Sequence, residues 1–219
     1  MYKRTLVFAA ACTGIFLFGI ILVTLGSILP SLEIKFKEEG LDRGLLAATL
    51  PAGILVGSLL FGPVADRYGY KLLLILSVLI SAIAFEGLAF TTSLPFLYVC
   101  MLLIGVGGGA INGGTNALVA DISLQNKGAN LSILGVFFGI GALGMPLVLG
   151  ILSEKFSYAT ILAAVGYFML LPVIYFIVIA FPVPKQAKGF PLKEGLGLLK
   201  QPALLLIAFF LFFQSGVES

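Results

Sequence analysis

The chain has 219 residues, of which 60% are hydrophobic and only 11% are charged, and its mean hydropathy is +1.15. This composition excludes a soluble globular domain, because so much apolar surface could not be hidden from water. The absence of histidine excludes histidine-dependent triads and histidine metal sites, and the two cysteines, Cys12 and Cys100, lie inside apolar segments and predict no disulfide framework.

Seven apolar segments follow one another along the chain, and six of them are long enough to cross a bilayer as complete helices. The first is predicted at residues 5–29 and is expected to end at Pro30, because proline breaks the helical hydrogen-bond ladder. The next five are expected at residues 44–65, 72–92, 96–120, 128–153 and 156–181, and the seventh begins near Gln201. The sequence therefore predicts an all-α membrane protein with a six-helix bundle at 1–184, a basic linker at 185–200 and a further helix at 201–219.

The positive charges are distributed unequally between the two ends of the predicted spans. Nine of the thirteen Lys and Arg residues fall on the side of the N-terminus, and four fall on the other side. Because cytoplasmic loops carry the excess of positive charge, we expect a multi-pass protein of the inner or plasma membrane with a cytoplasmic N-terminus. The nine are Lys3, Arg4, Arg67, Lys71, Lys127, Lys185, Lys188, Lys193 and Lys200.

A short charged segment at residues 62–71 separates the second and third predicted spans, with the sequence GPVADRYGYK. Gly69 permits a positive φ in a sharp bend, and Gly62 would let a neighbouring helix approach closely. Asp66 is expected to accept hydrogen bonds from the free N–H groups at the start of the next helix. Arg67 and Lys71 place cations on the cytoplasmic side. An ordinary cytoplasmic hairpin is the alternative.

This segment resembles the loop between helices two and three of the major facilitator superfamily, roughly Gly-x-Leu-Ala-Asp-Arg-x-Gly-Arg-Lys, with departures at Val64 and Tyr70. The resemblance implies the major facilitator fold, in which the first six helices form a 3+3 inverted repeat. It also implies that the chain covers a little over half of a twelve-helix transporter, ending in the first helix of a truncated second bundle. The gating loop that it implies comprises Gly62, Asp66, Arg67, Gly69 and Lys71.

The fourth predicted span carries two patterns with a period of four residues. Glycines at 105, 109 and 113 leave one helix face without side chains, and Asn112 and Asn116 share another face. Because unpaired amides in hydrocarbon are costly, we expect both to face the bundle interior or a watery cavity, where their donors and acceptors suit sugar hydroxyls. The alternative is that they join neighbouring helices by hydrogen bonds.

A narrower resemblance, to the fucose/glucose/galactose permease branch of the superfamily, rests on four stretches: residues 16–30, 112–119, 137–142 and 214–219. It implies sugar symport, with polar residues of the seventh helix in the cavity. Fucose permease has carboxylates in its first and fourth helices that serve proton coupling, whereas the matching positions here hold Gly26 and Asn112. Proton symport by that route is therefore not expected.

Two acids that remain within apolar segments are candidates for ion coupling. Glu218 lies four residues after Gln214 and shares its helix face, and Glu86 lies near the outer end of the third span. Each has a plain alternative, because Glu218 could belong to an outer loop and Glu86 could extend to the membrane interface or pair with a neighbour.

Together these features predict carrier-mediated transport of a small polar solute, a monosaccharide, by alternating access within the lipid bilayer. We expect H+ or Na+ as the coupling ion, no cofactor, no metal, no nucleic-acid partner and no enzymatic activity. The rival function is export of drugs or lipids by the same fold. A membrane enzyme is disfavoured by the absence of histidine and of a Ser/Lys pair in one span, and a scaffold or receptor is the third class. The expected substrate contacts are Asn112, Asn116, Gln214, Thr24 and Phe137.

Overall fold

The computed structural model describes residues 2–37 and 40–184, together with Pro202 and Leu206. Within these ranges, six α-helices are each long and apolar enough to cross a membrane, which confirms the all-helical membrane architecture. The predicted linker at 185–200 and the candidates Gln214 and Glu218 lie outside the described residues. The helices are α1 (Arg4–Lys35), α2 (Arg43–Tyr68), α3 (Tyr70–Phe90), α4 (Leu94–Ile122), α5 (Lys127–Leu152) and α6 (Tyr158–Val178).

The first helix is longer than the sequence predicts, and the predicted end at Pro30 is wrong. α1 continues through Pro30 to Lys35, and the N–H of Phe36 closes it by donating to the carbonyl of Leu32. A proline in a helix interior costs about 3 kcal/mol. The added turns bury Leu32 and Phe36 completely or almost completely, and each such burial contributes roughly 1.5–3 kcal/mol. The gain from packing therefore offsets the cost of the proline.

The charged segment between α2 and α3 is a helix end and not a loop. Residues 62–68 belong to α2, and the whole reversal of the chain takes place at Gly69, whose φ is 89°. Gly62 has no neighbouring atom within 4 Å of an added Cβ, so the expected close helix contact is absent among the described residues. Asp66 is not the expected cap of α3, because the N-terminus of α3 has no side-chain cap. One glycine suffices for the turn because its missing Cβ allows this backbone conformation.

The glycines of α2 and α4 bring these two helices into backbone contact, as the four-residue spacing predicts. A Cβ on Gly53 would lie 2.9 Å from Cα of Gly105, and a Cβ on Gly105 would lie equally close to Cα of Gly53. Gly57 and Gly109 make similar contacts with backbone atoms of the opposite helix. Small residues at such a contact favour association in lipid, because van der Waals packing replaces the hydrophobic effect there.

The helices differ in how far they are covered by the rest of the bundle. In the most apolar stretch of α1, 61% of residues are buried, whereas the value is 22% for both α2 and α5. α1, α3 and α4 therefore supply most of the core, and α2 and α5 present broad apolar faces on the outside of this bundle. Large side chains that are fully buried include Leu17, Ile21, Leu74, Phe85, Met101 and Phe176.

Candidate functional site

The two asparagines of α4 form a pair on one helix face. The side-chain amide of Asn116 donates through Nδ2 to the backbone oxygen of Asn112 at 2.9 Å and to its Oδ1 at 3.0 Å. Asn116 is exposed and Asn112 is half-buried. Both bonds stay within α4, and among the described residues Nδ2 of Asn112 and Oδ1 of Asn116 have no partner. The pair thus presents one donor group beside one acceptor.

The amide pair lines an open cavity of about 260 Å³ between α1, α4 and α5. An aromatic wall stands beside the amides, because the rings of Phe18 and Phe138 lie 5.7 Å apart at an angle of 35°. α1 and α5 approach closely here, and a Cβ on Gly19 would lie 2.9 Å from the backbone N of Ala142. The other lining residues are Ile15, Leu131, Leu134 and Gly135.

Two of the expected substrate contacts lie away from this cavity. Thr24 is 1% exposed, and its hydroxyl donates to the carbonyl of Ile20 at 2.7 Å, one turn back along α1. Phe137 is 37% exposed on the outer face of α5, whereas its neighbour Phe138 faces the cavity. A signal for Phe138 was present in the sequence, because residues 131, 134, 135 and 138 follow the spacing of a single helix face.

Glu86 occupies a different part of the bundle from the amide pair. Its Oε1 is buried and has no hydrogen-bond partner among the described residues. The carboxylate lies against Gly166, where an added Cβ would lie 3.2 Å from its Cδ. Glu86 is thus packed between α3 and α6, and it is not among the residues that line the amide cavity. Its role in ion coupling stays a prediction.

The predicted gating segment is tied into the bundle by contacts that the sequence did not reveal. Nζ of Lys71 donates to the carbonyls of Ile177 and Ile179 at 2.6 and 3.1 Å, at the C-terminal end of α6. Helix ends leave such carbonyls unsatisfied and carry partial negative charge, so an ammonium group is favoured there. The hydroxyl of Tyr70 donates to Oδ2 of Asp121 at 2.6 Å, which links α3 to the end of α4.

Arg67 is the exposed cation of the gating segment. Its guanidinium lies over the ring of the adjacent Tyr68, with Cζ 5.1 Å from the ring centre. The structure therefore separates the two basic residues of the segment, since Lys71 is engaged with α6 and Arg67 points to the surface.

The sequence matches the family model of the Major Facilitator Superfamily over residues 6–217, which is almost the whole chain. The chain belongs to this superfamily. Membership agrees with the six apolar helices and makes the protein a multi-pass integral membrane protein of a family of transporters, not of enzymes.

Two curated relatives of this chain are transporters named for different substrates. The multi-drug resistance efflux pump PmrA of Streptococcus pneumoniae is 29% identical over 185 residues, covering 82% of this chain and 46% of PmrA. The 4-hydroxybenzoate transporter PcaK of Pseudomonas aeruginosa is 30% identical over 181 residues, covering 80% of this chain and 38% of PcaK. The chain spans about half the length, or less, of these relatives.

A solved structure of the proton:xylose symporter XylE bound to 6-bromo-6-deoxy-D-glucose has the same fold, with a TM-score of 0.74. It covers 81% of this chain and 45% of the XylE chain, at 17% identity, so the likeness concerns the fold alone. The predicted major facilitator fold is therefore confirmed. The narrower resemblance to sugar permeases is not specifically confirmed, because relatives of this chain include an efflux pump and a 4-hydroxybenzoate transporter.

Proposed function

We propose that the protein is a secondary active transporter that carries a small polar solute, with a monosaccharide as the favoured class, by alternating access. Superfamily membership supports the transporter, and the amide cavity supports the solute class. In such a mechanism the described bundle rocks against a second bundle around a site near the membrane midplane. Gln214, which lies outside the described residues, stays a predicted substrate contact.

The observation that carries this proposal is the unused hydrogen-bonding capacity of the amide pair. A sugar hydroxyl both donates and accepts, so one hydroxyl could accept from Nδ2 of Asn112 while it, or its neighbour, donates to Oδ1 of Asn116. The rings of Phe18 and Phe138 offer an apolar surface for the C–H face of a sugar ring. The volume of about 260 Å³ lies just below the roughly 300–1,000 Å³ that is usual for drug-sized ligands.

Export of drugs or lipids is the second candidate, and one further cavity favours it. This cavity, of about 300 Å³, lies between α1, α5 and α6 and has an almost wholly apolar lining that includes Phe16, Ile20, Met145, Val148 and Phe168. Such a lining suits apolar compounds, since it offers no polar groups to a sugar. The similarity to the efflux pump PmrA supports the same reading.

The gating segment is proposed to lie on the cytoplasmic side and to hold the inner gate closed. With the N-terminus in the cytoplasm, the Gly69 turn lies on the inner side of the membrane. Lys71 is already bonded to α6, so we assign to Arg67, with Asp66 beside it, the contact that latches the second bundle. H+ or Na+ would drive transport, with Glu86 and Glu218 as the candidate coupling acids.

Uptake of labelled hexoses by proteoliposomes that contain the full-length protein tests the proposed site. We expect Asn112→Leu and Asn116→Leu each to lower uptake by about tenfold or more, because each removes hydrogen bonds worth roughly 1–1.5 kcal/mol. Asn130→Leu is the matched control, since that amide bonds Ser123 at 2.8 Å and does not line the cavity. Unchanged uptake in both α4 variants would remove this site.

The same liposomes test drug export against sugar uptake, and they test whether Glu86 couples transport to protons. If the liposomes show drug-dependent efflux and no hexose uptake, the substrate is an apolar compound and not a sugar.

With a proton gradient imposed, Glu86→Gln should abolish gradient-driven accumulation if Glu86 couples protons, and full accumulation in this variant would exclude that role.

A further inference from the structure

The α5 wall of the amide cavity has a gap where one residue carries no side chain. This wall consists of Leu131, Leu134, Gly135 and Phe138, which follow the spacing of one helix face. Gly135 lies four residues after Leu131 and three residues before Phe138, so a side chain at position 135 would lie beside these two on the cavity face. A Cβ on Gly135 would meet no atom within 4 Å among the described residues. We call this space beside Gly135 the niche.

Helix packing does not explain this glycine. Gly141 on the same helix is needed for packing, because a Cβ there would lie 3.2 Å from the backbone N of Ile20 in α1 and still closer to the carbonyl oxygen of Phe16. Gly135 makes no such contact among the described residues, although glycine is a poorer helix former than alanine. The absent side chain at 135 therefore creates space in the cavity and does not bring two described helices together.

The niche adjoins the groups that are proposed to hold a sugar ring. Asn112 and Asn116 line the same cavity from α4, and the rings of Phe18 and Phe138 lie 5.7 Å apart beside them. A methyl group occupies roughly the volume of a water molecule, about 30 Å³, which is about a tenth of the cavity volume of about 260 Å³. One added side-chain carbon at 135 therefore changes the space for a bound solute by an amount comparable to one substituent of a sugar ring.

We propose that Gly135 limits the size of the carried solute: the niche admits the hydroxymethyl group of a hexose, and a side chain at this position would favour pentoses, which lack that group. The inference rests on the proposed transport of a monosaccharide and deepens it, because it names a residue that selects among sugars. Discrimination of this steric kind is moderate, since one extra methylene group in a binding pocket changes the selectivity between two substrates by about 10–200-fold. Gly135 thus acts on specificity, while the amide pair supplies the hydrogen bonds.

Competitive uptake by proteoliposomes that contain the full-length protein tests the niche. Labelled D-glucose and D-xylose are the probes, because their pyranose rings differ only by the hydroxymethyl group. We expect Gly135→Ala to lower the uptake of glucose relative to xylose by about tenfold, and Gly135→Leu to lower this ratio further. In Gly135→Ala the uptake of xylose should be retained and the melting temperature should not fall, because the added methyl group meets no neighbouring atom and alanine favours the helix.

Gly150→Ala is the matched control on the same helix. A Cβ at this position would also meet no atom within 4 Å among the described residues, but Gly150 does not line the amide cavity. We expect this variant to keep the wild-type ratio of glucose to xylose uptake. If the control shifted the ratio as much as Gly135→Ala does, a stiffer α5 and not the niche would alter the selectivity, and the inference would be overturned.

The uptake by the wild-type protein separates a failure of this inference from a failure of the proposed function. If the wild-type protein takes up both sugars and the Gly135 variants keep its ratio, or if it takes up xylose alone, the niche does not select the solute and only this inference fails. If it takes up neither sugar, the proposed function fails and the inference fails with it.

A second measurement tests whether the solute lies against position 135. In a background with Cys12→Ala and Cys100→Ala, Gly135→Cys places a thiol at the niche and Gly150→Cys places one outside the amide cavity. We expect glucose to slow the reaction of N-ethylmaleimide with the first thiol and not with the second. An unchanged rate at position 135 would place the solute elsewhere and would overturn the inference.

Discussion

Two glycines of the same helix have different structural roles in this protein. Gly57 and Gly62 both lie in α2. Gly62 was expected to allow a close helix contact, and Gly57 follows Gly53 by four residues, a spacing that predicts the same. A Cβ on Gly57 would collide with backbone atoms of α4, including the N of Ala110 at 2.8 Å. A Cβ on Gly62 would meet nothing within 4 Å among the described residues. Only the neighbouring helix distinguishes the two positions.

Substitution of these two glycines by alanine should therefore have effects of opposite sign. We expect Gly57→Ala to lower the free energy of unfolding by about 1–3 kcal/mol, because α2 and α4 must move apart. Gly62→Ala should raise it by up to about 1 kcal/mol, because alanine is the better helix former. Equilibrium unfolding in mixed micelles measures both, and equal effects at the two positions would contradict the observed α2–α4 contact.

At the scale of the helices, long-range side-chain bonds hold the N-terminal end of the bundle together. Lys71 of α3 bonds the end of α6, Tyr70 of α3 bonds Asp121 of α4, and the hydroxyl of Tyr175 in α6 donates to the carbonyl of Leu6 in α1 at 2.9 Å. Each bond joins residues more than 50 positions apart in sequence. They fix the ends of four helices, which apolar packing alone would leave free to slide.

Loss of the Lys71 ammonium group should loosen the end of α6. In Lys71→Met the carbonyls of Ile177 and Ile179 lose their charged donor, and we expect a loss of roughly 1.5–3 kcal/mol in stability. Amide hydrogen exchange should become faster in the last turn of α6, and the melting temperature should fall. Arg67→Met is the control, since that exposed side chain lies over the Tyr68 ring and has no hydrogen bond or ion pair among the described residues, and we expect a change within about 0.5 kcal/mol. Equal losses in both variants would contradict the special role of Lys71.

At the scale of the whole molecule, the six helices leave α2 and α5 with uncovered apolar faces. Leu55 and Leu59 of α2 are 62% and 69% exposed, and Leu143 and Leu147 of α5 are 77% and 63% exposed. In a membrane such apolar faces contact lipid or a second bundle, so they are not exposed to water. The distribution of cations between the two ends then sets which end faces the cytoplasm.

Cysteine labelling in intact cells tests the proposed orientation. In a background with Cys12→Ala and Cys100→Ala, a cysteine at Glu154 should react with an impermeant maleimide from outside, and one at Gln125 should react only in inverted vesicles. Both positions are exposed in turns at opposite ends of the bundle. Neither change alters the Lys and Arg distribution that determines orientation. The reverse labelling pattern would place the N-terminus outside.

The six described spans, the bare glycine faces of α2 and α4 and the shared face of Asn112 and Asn116 were all predictable, because each depends on local composition or on a four-residue period. That these two glycine faces meet each other was not predictable from either helix alone. Hydrocarbon forces the backbone to satisfy its own hydrogen bonds, so a helix is the default for every long apolar segment. Tertiary structure alone decided that α1 passes Pro30 and that Lys71 bonds α6. These outcomes depend on packing contacts and hydrogen bonds between residues far apart in sequence. The energies of such contacts exceed local conformational preferences by a few kcal/mol, and a local sequence pattern does not show which distant residues meet.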